Sequence, residues 1–442
     1  MRRFLVGAAC AAAASVAPMG APAAGAQDTI STRRAEASAG DTLTLSLPEV
    51  QRLALRGNPD LLAERQETAV ARAELRQARL PAFNPQAELE LPAAATGGVG
   101  QFEASLSQEI EVAGQRSLRG RAAQLGVSRA ESTVRNAARE TVAEASATYF
   151  EAFSTRQQLR LAEATLALNE RLLSAVRIQA REGEISALEA DLAEIDYGRS
   201  RARVLSSRRE ATRAEQELKR LVGIAPGQPL RLAEDFPGAP VPGALHADSL
   251  IAVALARRPD LAARSAAAEQ FRALAGLARR EALPNLRVGV VAERDEDGGS
   301  PRFGVGVGVP IPVLNRNQGR VAEQQARAEQ ATLEARAVEA RIRTQVTEAV
   351  RAYASATEEV EVYESTVLEP ARQSRERLET AYRSGKIGLT TLLLVRNQLL
   401  DAETGYWDAW LARRRALVDL QSATAGLATD TPDIPSAQAD RS

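Results

Sequence analysis

The stretch "RFGVGVGVPIPVLNRNQG", Arg302 to Gly319, decides the fold. Valine alternates with glycine after Phe303, and this period of two predicts a strand with one apolar face and one almost bare face. Pro310 and Pro312 stop the strand ladder, because proline has no N–H to donate. A helical pattern then starts at about Gln318 and runs to about Ser384. A short, glycine-weakened strand at the head of so long a helix predicts a mainly α chain with a small β part.

Working outward, the chain says everything twice. "LALRGNPDLLAERQ" from Leu53 returns as "VALARRPDLAARSA" from Val253, and Leu80-Pro81 returns as Leu283-Pro284. The strand opening at Phe102 matches the one at Phe303, and "REGEI" from Arg181 matches "RSGKI" from Arg383. The offset stays near 200 residues, so the sequence predicts two tandem repeats, 43–222 and 248–427, joined by a Pro/Gly-rich connector at 223–247. Each repeat reads helix, helix, strand, strand, very long helix, long helix. The β-hairpins are expected at 85–112 and 285–311, and the long helical hairpins at 114–222 and 316–425. Ser46-x-x-Glu49 is a capping box, and Asn58-Pro59 ends one helix and opens the next. No proline interrupts Gln115 to Glu182, a helix on the order of 100 Å long. Pro370 predicts a kink in its counterpart.

The ends and the composition narrow the class. Arg2 and Arg3 precede an apolar run, and "AGAQ" offers a cleavage site after Ala26, so residues 1–26 read as a secretory signal peptide. The alternative is a lipoprotein signal lipidated at Cys10, the only cysteine. A chain cleaved after Ala26 has no thiol for a disulfide or a thiolate metal site. Net charge is −1, which does not point to nucleic acid. No later apolar run approaches ~20 residues, so a membrane crossing would have to be a β-barrel. The polar tail, 428–442, reads as disordered.

The strands carry the functional signal. Phe102, Ala104, Leu106, Ile110 and Val112 alternate with Glu103, Ser105, Ser107, Glu109 and Glu111; Gln108 alone breaks the apolar set. Ala87, Leu89 and Leu91 alternate with Gln86, Glu88 and Glu90. In the second repeat, Leu286, Val288, Val290 and Ala292 are followed by Phe303, Val305, Val307, Val309 and Ile311, the last set spaced by Gly304, Gly306 and Gly308. Such strands fit a soluble sheet or a barrel. Their length and their polar or small hairpin tips favour a barrel. Four strands cannot close one, and open edges in lipid leave backbone groups unpaired, so oligomerisation is expected. Two copies give eight strands, which side chains fill, and three give twelve with room for a pore, which a face of glycine and glutamate fits better.

The duplication, the β-hairpins and the long helical hairpins resemble TolC-like outer-membrane efflux proteins, the outer-membrane factors. The resemblance covers about Leu43 to Leu427. "VGVPIPVLNRNQGRVAEQQARAEQA" is similar to the strand-to-helix junction of the cobalt–zinc–cadmium branch, with Pro310, Pro312, Asn315, Asn317 and Gly319 at the turn. The resemblance implies a homotrimer in the outer membrane of a Gram-negative bacterium, with a 12-stranded transmembrane β-barrel continuous with a periplasmic α-helical barrel. It implies two partners, a periplasmic adaptor and a proton-driven inner-membrane pump. It places Arg181, Gly183, Glu184, Arg383, Gly385 and Lys386 at helical tips that meet the adaptor; plain solvated tips are the other reading. The family's acidic gate positions read Thr391 and Leu394 here, and Glu189 and Asp191 stand at comparable places after the first turn.

Nothing in the sequence builds a catalytic site, a cofactor loop or a metal cluster. His246 borders the connector, and "GVGVG" lacks dinucleotide-loop spacing. Asp295, Glu296 and Asp297 read as a loop tip. The expected function is passive export, with heavy-metal cations drawn through a lumen lined by Glu88, Glu90, Glu103, Glu109 and Glu111. A type I secretion or multidrug duct shares the architecture. A periplasmic coiled-coil scaffold is the rival of another class.

Overall fold

The computed structural model describes residues 42–90, 102–234, 236, 243, 245–294 and 300–426. Residues 1–26, read above as a signal peptide, the tail 428–442, Leu91 and Asp295, Glu296 and Asp297 lie outside the described residues.

Repeat 1 runs β1 (Leu43–Leu45), α1 (Leu47–Gly57), α2 (Pro59–Ala78), β2 (Gln86–Glu90), β3 (Phe102–Ile110), α3 (Gln115–Arg181) and α4 (Ala187–Val222). The connector holds β4 (Leu230–Leu232), and repeat 2 runs α5 (Ala247–Arg257), α6 (Pro259–Arg280), β5 (Leu286–Arg294), β6 (Arg302–Gly308), α7 (Gln318–Val362), a π-helical turn (Tyr363–Val367), α8 (Leu368–Arg383) and α9 (Leu389–Ala423). The repeats match in length as well as order. α3 has 67 residues against 45, 5 and 16 for α7, the π turn and α8, and α4 has 36 against 35 for α9.

Local chemistry explains the boundaries. Glu49 Oε2 accepts from the backbone and hydroxyl of Ser46 at 2.8 and 2.7 Å, closing the box that starts α1. Asn58 Oδ1 accepts from Leu61 N at 3.0 Å and starts α2. The second repeat solves the same corner with charge. Arg258, with its side chain only 4% exposed, makes two bonds to Asp260, at 3.0 and 2.6 Å, and one to Gln345 at 2.7 Å. Burial opposes ionisation of Asp260, but the Arg258 guanidinium outweighs it and holds the carboxyl below its ordinary value. That stability is therefore present above the unfolded value and lost only as pH falls through the lower, folded one.

The strands β2-β3-β5-β6 form one antiparallel sheet in that order. Below it the helices make a wall. α3 packs against α2, α4, α6 and α9, α7 packs on α6 and α9, and α4 also touches α9. Halfway along the wall sits the main core, where Tyr149, Phe150, Phe153 and Trp410 gather with Val50, Leu218 and Leu230. Phe236 joins these rings, its centroid 4.9 Å from that of Phe153, and the Arg414 guanidinium lies 5.1 Å from the centre of the Phe236 ring.

Three expectations are refined. The connector carries β4, which pairs in parallel with β1 to form a second, two-stranded sheet beside the aromatic core. The irregularity expected from Pro370 takes the form of the π turn just upstream, which accommodates the N–H that proline lacks. β3 and β6 end at Ile110 and Gly308, before Val112 and Val309, because the chain turns early towards the helices.

The core depends on one close backbone approach. A Cβ on Gly57 would stand 2.9 Å from the Val222 carbonyl oxygen, and one on Gly223, whose φ is +71°, would stand 2.9 Å from that of Gly57. Gly223→Ala is expected to destabilise the chain by about 2 kcal/mol or more, combining left-handed strain with a clash that cannot relax. Thermal unfolding of the purified protein would show this as a lowered midpoint, whereas Gly227→Ala, in open space, should leave the midpoint unchanged.

Candidate functional site

Directly paired residues in an antiparallel sheet point to the same side, so the register decides the faces. Val290 pairs with Leu106 and Val305, Ala292 with Ala104 and Phe303, Val288 with Val307, and Ala87 with Leu106. One face is apolar across all four strands, and it is uncovered: Phe303 is 84% exposed and Val305 76%. Gln108 on that face bends back, its Nε2 donating to Phe83 O at 2.9 Å and Glu109 O at 2.8 Å.

The opposite face brings together Glu88, Glu90, Glu103, Glu109, Gly304, Gly306 and Gly308. Glu90, Glu103, Glu293 and Arg302 lie side by side on one rung. Arg302 reaches Glu293 at 3.6 Å and Arg287 reaches Glu109 at 3.7 Å, while Glu88, Glu90 and Glu103 are exposed. A Cβ on Gly306 would meet nothing within 4 Å, so packing within the chain does not demand glycine there.

Below the sheet, the same device turns each strand into its long helix. Gly114 (φ 75°) and Asn317 (φ 59°) take the left-handed conformation. Gln115 Oε1 then accepts from Ala113 N at 2.8 Å, and Gln318 Oε1 from Arg316 N at 2.8 Å. Asn317 Nδ2 donates to Ala278 O at 2.8 Å, satisfying the end of α6, and Asn315 Oδ1 accepts from Asn317 N at 3.0 Å. Pro310 and Pro312 line a groove of about 570 Å³ here with Glu109, Glu111, Arg119 and Asn285, and Gly319 stands in open space. Glu111 is not a free carboxylate on the strand face, as the alternation predicts. It follows the end of β3 and takes both Nη atoms of Arg119, at 2.7 and 3.0 Å. Glu109 also accepts from Asn285 Nδ2, at 2.7 Å.

At the far end of the wall, the two helical tips have the same backbone. Glu184 N donates to Gln179 O and Gly183 N to Ala180 O; Lys386 N donates to Ala381 O and Gly385 N to Tyr382 O. These are paired Schellman turns, with Gly183 at φ 79° and Gly385 at φ 70°. Arg181, Glu184, Arg383 and Lys386 are exposed around them. Ile185 and Ile387 fold beneath the turns into one cluster with Leu173, Val176, Leu389 and Leu392, which holds the tips together. Asp191, Thr391 and Leu394 are exposed. Glu189 closes the capping box that starts α4, its carboxylate 3.1 Å from both Ser186 donors. Burial, and then the Glu189 carboxylate, push the Tyr382 hydroxyl above its ordinary value.

The sequence profile of outer membrane efflux proteins matches residues 50–224 and 250–426, one match to each repeat. This chain belongs to the outer membrane efflux protein family. Its members are outer-membrane channels with a periplasmic tunnel, and they act with a periplasmic adaptor and an inner-membrane pump. The efflux protein is 23% identical over 306 residues to the cobalt-zinc-cadmium resistance protein CzcC of Cupriavidus metallidurans, covering 69% of this chain and 72% of that one. It is 29% identical over 348 residues to the pyoverdine export outer membrane protein OpmQ of Pseudomonas putida, covering 74% and 70%. Among solved structures, its fold is similar to the transmembrane channel CusC (TM-score 0.72, 20% identity, 86% and 92% covered). It is also similar to the Campylobacter jejuni outer membrane channel CmeC (TM-score 0.73, 18% identity, 87% of each chain).

Sequence reasoning missed the links between the two helical hairpins of this efflux protein. Asp196 on α4 accepts from Asn397 on α9 at 3.3 Å and from Asn169 on α3 at 2.8 Å. Arg203 on α4 donates to Thr404 on α9 at 3.1 Å. Single polar residues on long polar faces give no periodic signal, so only packing reveals them. It also missed the junction glutamines, although the 203-residue offset between Gln115 and Gln318 fits the repeat. Glu111→Ala leaves half-buried Arg119 with carbonyl partners alone and should cost about 1–3 kcal/mol of stability. Exposed Glu88→Ala should leave the thermal midpoint of the efflux protein unchanged.

Proposed function

We propose that three copies close into a twelve-stranded β-barrel continuous with a helical tunnel, and that the assembly is the passive exit duct of a tripartite heavy-metal efflux system. One observation carries this reading: a four-stranded sheet with an uncovered apolar face and two unpaired edge strands, β2 and β6. β2 and β6 run in opposite directions, so β6 of one copy can extend the antiparallel ladder of the next. Closure satisfies edge groups that would each cost several kcal/mol in lipid. In the closed barrel the valines face lipid, and the glycines and glutamates face the lumen. A periplasmic scaffold leaves the apolar face unexplained.

On this reading the Schellman tips, with Arg181, Glu184, Arg383 and Lys386, meet the adaptor. Asp191 is the carboxylate available for a ring near the periplasmic end, since Glu189 is engaged in capping. Residues 1–26 are the export signal, and proton-motive work belongs to the pump. Heavy-metal cations are favoured as cargo by the similarity to CzcC and by the run of carboxylates along one rung of the sheet. A second reading, export of a siderophore or drug, is favoured by the higher identity to OpmQ.

Deleting the gene and profiling tolerance to zinc, cadmium, cobalt, copper, nickel and several organic toxins separates the two cargoes. Lost metal tolerance is expected; intact metal tolerance with lost toxin tolerance overturns the metal reading. In planar bilayers the channel should prefer cations, and the combined substitution Glu88→Gln, Glu90→Gln and Glu103→Gln should cut the cation-to-anion permeability ratio several-fold. An unchanged ratio would rule out these carboxylates as its source.

A further inference from the structure

Charge is sorted by face in the two helical turns beneath the sheet. A concavity of about 810 Å³ between α2, α3, α6 and α7 is lined by Glu67, Ala130 and Phe271, among others. It lies on the same side of α3 as the groove under the sheet. Arg119 stands eleven residues, three turns, before Ala130 and lines the adjoining groove with Glu109. The outward faces of the same helices are then found half a turn away. Arg76, Arg121 and Arg280 each stand nine residues from a lining residue, Glu67, Ala130 and Phe271 respectively. Nine residues are two and a half turns, so Arg76 and Arg280 lie opposite the concavity, while Arg121 lies at its flank because Arg129 and Asn136 of the same helix also line it.

All three are exposed, and none has an ion pair among the described residues. Arg116 joins them near the sheet, with its Nε held by Arg79 O at 2.6 Å. The nearby carboxylates fall on the other side. Glu74 follows Glu67 by two turns, Glu111 and Glu281 line the groove, and Glu323 pairs with the lining residue Arg327 at 2.7 Å. Leu80, Leu283, Val313 and Leu314 are exposed among the arginines. At ~1.5 Å per residue, the four arginines lie within roughly 10–15 Å of the strand ends, the depth of a headgroup layer.

We propose that this outward collar of arginines binds the phosphates of anionic phospholipids in the periplasmic leaflet, with acyl chains against the exposed leucines and valines. Guanidinium groups suit phosphate, and the outward faces hold no carboxylate in the two described turns next to the sheet, Glu131 and Glu269 lying farther down α3 and α6, so the attraction at this level is uncancelled. The collar fixes the depth of the barrel and resists tilting of the long tunnel. The inference rests on the membrane-spanning reading given above.

The test uses the full-length oligomer in detergent, melted with added phosphatidylglycerol or phosphatidylcholine at equal concentration. Phosphatidylglycerol is expected to raise the midpoint by several degrees more than phosphatidylcholine, and 0.5 M salt should erase about half or more of that difference by screening. The combined variant Arg76→Gln, Arg121→Gln and Arg280→Gln should lose the difference. A control variant with Arg199→Gln, Arg209→Gln and Arg341→Gln, all remote from the sheet, should keep it. Equal effects of the two lipids, retention of the difference in the collar variant, or equal stabilisation by inorganic phosphate would overturn the proposal. Conductance of the same wild-type preparation in planar bilayers separates the two levels: a conducting channel without lipid preference refutes only the collar, whereas no conductance refutes the channel.

Discussion

An unpaired backbone amide in hydrocarbon is the constraint on which the rest of the structure depends. The sheet has four strands and therefore two open edges, and its exposed apolar face leaves no water-facing way to hide them. In the channel we propose, joining such sheets edge to edge removes those open edges. The helices leave the sheet on one side because each repeat contributes a β-hairpin with both ends at its base. Along the shafts α2 packs on α3, α7 packs on α6 and α9, and α4 touches both α3 and α9.

Duplication supplies this geometry cheaply, yet the two halves do not use identical chemistry. The helix break at Asn58-Pro59 is held by a neutral cap, while Arg258-Pro259 is held by a buried guanidinium and a carboxylate. Gly114 and Asn317 reach the same left-handed conformation by having no side chain or by having one that bonds locally. The very long helix is unbroken in repeat 1 but carries a π turn in repeat 2, packed against Gly405 and Tyr406 of α9. Geometry is conserved between the repeats where strand meets helix and where helix turns at the tip. It diverges along the shafts, where many side chains satisfy the same packing.

Electrostatics divides the molecule by face more than by end. The polar face of the sheet is rich in carboxylates, and the concavity between the helices holds both carboxylates and arginines. The outward helical faces just below the sheet carry arginines without an ion pair among the described residues, beside exposed aliphatic groups. Between these zones, Glu111 and Arg119 join strand and helix, so a carboxylate that alternation places on the strand serves as a brace.

The sequence by itself determined the tandem repeat, the two-faced strands, the long helices and the glycine turns at Gly183 and Gly385. Each of these rests on local periodicity or on the conformational freedom of single residues, and both are written in the order of residues. Only the tertiary structure decided that Leu230–Leu232 pairs with Leu43–Leu45 and that Glu111 is braced by Arg119. It alone decided that Asp196 and Arg203 tie the helical hairpins together and which residues of α2, α3, α6 and α7 line one concavity. Those facts depend on contacts between residues distant in the chain or on the handedness with which helices meet. In "RFGVGVGVPIPVLNRNQG" the strand, its stop and its helix were legible from spacing alone; the bond from Asn317 to the end of α6 was not, because its partner lies 39 residues away.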